Sequence, residues 1–145
     1  MMNTIEALYH FNMSYLLRLV ENISDEQLYE KQLEGLNSAG WILGHLFVEG
    51  QDILDFYKIE HTTSLEWNHY FRYGSGKISS LENLPKKEEM IDKIKVRYQL
   101  LLELYLNLNE EQREEKHPSQ LLAKTYKNLG AWFAHPFTNH IAIHC

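Results

Sequence analysis

The sequence predicts an all-α protein: a four-helix bundle with a long connection between its second and third helices. Three observations carry that prediction. Apolar residues recur at alternating spacings of three and four in separate segments, only three prolines interrupt 145 residues, and one long stretch in the middle has no period.

In the first segment Ile5, Leu8, Asn12, Tyr15, Leu19 and Asn22/Ile23 form the seam of a bundle helix that ends near "NISDEQL". Asn12 is the polar member of that seam, either lining a site or setting the register of the helix. A second helix starts in "LNSAGWILGHL", where Asn37 or Ser38 can accept a hydrogen bond from the free N–H groups of the first turn, and runs to about Tyr57. Its apolar face is Leu43, Leu46/Phe47, Gly50, Ile53/Leu54 and Tyr57. Beside it, His45, Glu49 and Asp52 share one side of the helix at spacings of four and three.

From about Lys58 to Leu84 the period disappears in a stretch rich in aromatics, Gly and Ser, "EWNHYFRYGSGKISSLENLP". Its aromatics predict a segment packed across the bundle. The third helix follows Pro85, which suits a first helical position, with Glu88 and Glu89 in the positive first turn. Its seam is Ile91, Ile94, Tyr98, Leu101, Tyr105 and Leu108. The fourth segment begins near Ser119 and places Gly130, Phe133, Phe137, His140 and His144 in line, with a kink or restart expected at Pro136.

A chain of this length fits one domain, residues 1–145, able to bury a sizeable core. The net charge of −6 and the scatter of the 14 Lys and Arg argue against a nucleic-acid partner, whose phosphates need clustered cations. No apolar run approaches the roughly 18 residues that span a membrane, and "MMNTIEALYH" lacks the layout of a signal peptide. The single cysteine, Cys145, excludes an internal disulfide and fits a reducing compartment, so a cytoplasmic location is expected.

Chemistry concentrates in the histidines. Eight histidines in 145 residues supply about 0.4 pairs at i, i+4 by chance, so His140 and His144 signify little alone. The seam through Phe133 and Phe137 turns them inward, and His45 faces them from the second helix. Two imidazoles one turn apart and a third opposite can cap one cation, leaving positions open for water or substrate. Three nitrogen ligands suit zinc, nickel, iron or copper better than magnesium or calcium. The same spacing also describes hydrogen-bonded core histidines. Glu49, one turn beyond His45, can orient a ligand imidazole, accept a proton from water, or lie solvated at the helix edge. Trp41 reads as core, Cys145 points away from the His144 face, and His10, His61, His69, His117 and His135 read as surface or loop residues. No Ser-His-Asp arrangement, phosphate-cradling loop or paired-cysteine motif is identified.

"NSAGWILGHL", "WNHYFRYGSG" and "HIAIHC" together resemble the DinB-like superfamily of metal-dependent four-helix bundles, over nearly the whole chain. The resemblance implies a divalent transition metal held by His45, His140 and His144, zinc or nickel first, with iron, copper or manganese also open. It implies a homodimer and a small-molecule substrate, since members with known activity include thiol-dependent transferases and isomerases. Two functions follow as expectations: a metal-dependent hydrolase or thiol transferase with Glu49 as proton acceptor, or a non-enzymatic metal-binding dimer with a structural, stress-related or sequestration role. Members often carry a glutamate where this chain has Ile141, and they continue past the position of His144. Here His144 falls in the last turn, to be held by a metal, a partner subunit or further chain.

Overall fold

A computed structural model describes residues 3–31, 36–61, 63, 65–75 and 83–144. The predicted all-α class is found: among the described residues there are helices and no strand. Cys145 lies outside the described residues, as does Gly76 of the aromatic stretch.

Helix α1 (Thr4–Val20) opens on a reciprocal cap, with the Asn3 side chain accepting from the backbone and Glu6 accepting from the Asn3 N–H. The seam predicted for it is rotated. Tyr9, Asn12, Met13, Leu16 and Val20 are buried, whereas Leu8, Tyr15 and Leu19 are exposed. Apolar residues surround most of this helix, so spacing alone did not choose the face. Asn12 lies between the predicted and the observed face, and its Nδ2 donates to the carbonyls of Phe137 (2.8 Å) and Thr138 (3.2 Å), which fits the register-setting role.

The second predicted helix is two, α2 (Ala39–Glu49) and α3 (Gln51–Phe56), broken at Gly50. Ser38 caps α2 as predicted, accepting from the Trp41 N–H at 3.2 Å. α2 is buried on nearly every side from Leu43 to Val48. Its neighbours include α4 (Leu65–Phe71) and α5 (Lys87–Asn107).

α4 lies within the aperiodic stretch and packs across α2, as its aromatics predicted. Phe71 is fully buried, and Trp67 stands edge-on to Phe47 at 5.0 Å. Gly44 makes the close approach possible, because a Cβ there would lie 2.3 Å from the Phe71 ring. Arg72 then pairs with Asp52 at 2.6 Å, and Asn68 donates to Gln51 at 2.8 Å.

α5 carries Ile94, Tyr98 and Leu101 into the core. Pro85 is not its first residue: Tyr29 donates to the Pro85 carbonyl at 2.7 Å, holding it in the entry segment. Helix begins after Lys86, where the Lys87 N–H finds Asp25 at 2.9 Å. Glu88 and Glu89 occupy the first turn as predicted. The Lys87 ammonium reaches the carbonyls of Val20, Glu21 and Ile23, satisfying acceptors that the end of α1 leaves without helical partners.

The last segment is a series of short pieces: α6 (Glu110–Glu114), α7 (Leu122–Thr125), α8 (Leu129–Ala134), a 3₁₀ turn (His135–Phe137) and α9 (Asn139–His144). The predicted restart falls at Pro136, with Thr138 as the joint. Gly130, Phe133, Phe137 and His140 are buried, and Phe137 meets Tyr9 and Tyr98 edge-on. His117, expected as a surface or loop residue, lies in the loop after α6 but is buried against Trp132 at 4.4 Å.

Candidate metal centre

The fold brings His45, His140 and His144 together, with one ring nitrogen from each within 4.8 Å of the others. α2 supplies His45 and α9 the other two. His45 and His140 are buried and His144 is half-buried. Ring centroids are 5.0 Å apart for His45–His140 and His45–His144, and 4.8 Å for His140–His144.

Hydrogen bonding fixes the tautomer of His45. Its Nδ1 lies 2.8 Å from the Phe71 carbonyl oxygen, which can only accept, so Nδ1 carries the proton and Nε2 keeps its lone pair. That Nε2 sits 3.2 Å from the Nε2 of His140. Zinc–nitrogen bonds of about 2.0–2.1 Å at tetrahedral angles separate ligand nitrogens by about 3.3 Å, so this pair already has the spacing a shared ion requires. The residues present fit a transition metal: three imidazoles converge, one is locked through its second nitrogen, and no carboxylate is among them.

Burial holds the imidazoles neutral. His140 is pushed down to about 3, first by burial and then by the neighbouring His45, His144 and His135. Burial also lowers His45, opposed by its bond to Phe71, and lowers His144 with a contribution from His45. Neutral rings keep the lone pairs that bind metal.

Glu49 lies beside the cluster, one-third exposed, its Oε1 3.6 Å from the His45 Nδ1. That is too long for a hydrogen bond, and the Phe71 carbonyl occupies the orienting position instead. Burial raises the Glu49 carboxyl, and Asp52 raises it further; Arg72 and the Tyr73 backbone oppose the shift. A carboxyl moved upward from its ordinary value is a better proton acceptor near neutrality.

Trp41 is half-buried and stacks on His45 at 4.7 Å and 15°. Three neighbours escaped the sequence reading. The Phe71 carbonyl is a backbone atom and carries no residue signal. His135 lies 5.4 Å from His140, five residues before it, because the 3₁₀ turn resets the helical phase. Tyr126 lies 5.5 Å from His135 and is raised by burial and by the charge of Glu49. His10 and His69 are exposed, as expected.

No protein with a curated description matches the chain. The pattern of the DinB superfamily matches residues 8–145, taking in every helix from α2 onward and most of α1. By that match the chain belongs to the DinB superfamily.

Proposed function

We propose that His45, His140 and His144 hold a divalent transition metal, zinc or nickel before iron, copper or manganese, and that the protein is a metal-dependent enzyme acting on a small molecule. The observation that carries this reading is the Nε2–Nε2 separation of 3.2 Å between His45 and His140, with His45 locked by Phe71. When bound, the metal supplies Lewis acidity to polarise a substrate atom or acidify water. Glu49 takes up the proton of an attacking water or thiol, which makes hydrolysis or thiol-dependent transfer the reaction class. Trp41 shields one face of His45 from water.

In this reading residues 1–145 form one domain and the helices group into a four-helix bundle: α1, α2 with α3, α5, and the chain from α8 to α9, with residues 58–84 as the long connection. The protein works as a homodimer in the cytoplasm. Leu8, Phe11, Tyr15 and Leu19 form an exposed apolar stripe on α1 that suits self-association. The negative charge disfavours nucleic acid, and no described helix is long and apolar enough to cross a membrane.

A second reading, metal binding without turnover, is favoured by one observation: Glu49 is oriented by no hydrogen bond to the histidines. Cobalt loading separates the two. An open position predicts a visible spectrum that shifts on adding a small thiol; a spectrum indifferent to thiols and other small ligands contradicts the enzyme reading.

A further inference from the structure

On the far side of α2 from the metal centre, two residues past His45 and so about 200° around the helix, Phe47 lines a separate cavity of about 550 Å³. Val96 and Leu100 of α5 form more of its apolar wall, and His61 and Arg97 bring polar groups to it. Its volume is that of a small-molecule site.

Asp55, His61, Thr63 and Arg97 form a hydrogen-bonded relay at this cavity. Arg97 is buried; its Nη1 donates to the Phe47 carbonyl at 3.3 Å, and its guanidinium stacks 4.4 Å above the Phe47 ring. Its Nη2 donates to Thr63 Oγ1 at 2.5 Å. Thr63 Oγ1 lies 3.3 Å from His61 Nδ1, and His61 Nε2 lies 2.9 Å from Asp55 Oδ1. The roles follow by elimination. Arginine only donates, so it occupies a lone pair of the Thr63 oxygen, and the hydroxyl proton is directed to His61 Nδ1. Nε2 then carries the imidazole proton and donates it to the Asp55 carboxylate. Hydroxyl, imidazole and carboxylate stand in the order of an activated nucleophile, its base and the group that orients the base. The sequence reading found no Ser-His-Asp arrangement; here a threonine replaces the serine, and the hydroxyl sits between two groups that line the cavity.

We propose that Thr63 is an acyl-accepting nucleophile, with His61 as its base and Asp55 orienting His61, and that the cavity takes uncharged esters of small carboxylic acids. The wall carries both signs of charge, Glu60 and Asp92 against Lys93 and Arg97, so it selects for no net ionic charge. The Thr63 oxygen bonds to the ester carbonyl carbon as His61 Nδ1 takes its proton. The C–O bond to the leaving alcohol then breaks, and that oxygen receives the proton from His61. Water, deprotonated by His61, cleaves the acyl-threonine and returns the hydroxyl. The Arg97 cation, donating to Oγ1, favours loss of the hydroxyl proton to His61.

The test uses the full chain with chelator present, so that the metal centre contributes nothing, and p-nitrophenyl acetate as the probe. The expected result is a burst of p-nitrophenolate and one acetyl group on the Thr63 peptide, released by hydroxylamine as an ester and not an amide. Thr63→Val, close in shape, abolishes the burst, and His61→Gln slows it about 100-fold while circular dichroism stays unchanged. Wild-type protein with no acetyl on Thr63, or either variant matching the wild-type burst, overturns the proposal.

Discussion

The Nδ1 of His45 donates to the carbonyl of Phe71 across 2.8 Å, so a residue of α2 is aimed by the backbone of α4. α4 thus acts on the histidine cluster through its backbone.

Gly44→Ala tests that coupling. The added methyl meets the Phe71 ring at 2.3 Å and displaces α4, so the fold loses about 1–3 kcal/mol and metal affinity falls about tenfold. Urea unfolding and chelator competition read the two effects separately. Unchanged affinity in a destabilised variant would show that His45 needs no anchor from α4.

Asn12 is the second control point. Asn12→Leu leaves the buried Phe137 carbonyl without its donor where the 3₁₀ turn joins α9, and costs about 1–3 kcal/mol in urea unfolding. Because α9 carries His140 and His144, metal affinity falls as well. A variant as stable as the wild type contradicts the register role.

These two contacts mark what was legible in the sequence. Helical spacing located α1, α2 and α5, and the inward pair His140 and His144 followed from the phase of Phe133 and Phe137. Spacing failed on α1, where Tyr9, Met13 and Leu16 compete with Leu8, Tyr15 and Leu19 for the core and both sets fit a helical stripe. It also missed the break at Gly50, and although the restart at Pro136 was expected, the change of phase there hid the approach of His135. The Asp55–His61–Thr63 relay lies where the helical pattern gives way, so no period pointed to it.

The apo protein loses stability in acid. His140 titrates at about 3 when folded and near 6.5 when unfolded, so the unfolded chain binds the extra proton between those values. This group's contribution is complete above about 6.5 and is lost as pH falls toward 3. In chelator, the urea midpoint declines from pH 7 to 5, and His140→Gln flattens the decline. A midpoint that rises as the solution is acidified contradicts the burial argument.

The exposed stripe on α1 predicts the oligomeric state. Phe11→Glu with Leu19→Lys places charge on the outward face and leaves the buried Leu16 and Val20 untouched. Sedimentation should convert a dimer to a monomer with little change in unfolding midpoint. A dimer unaffected by both changes places the interface elsewhere.

The central claim is that three histidines share one metal ion. Metal analysis of untagged protein, purified without chelator, beside its His140→Ala variant tests it most directly. About one equivalent of a divalent transition metal is predicted in the wild type and little in the variant; equal metal content in the two would contradict the site.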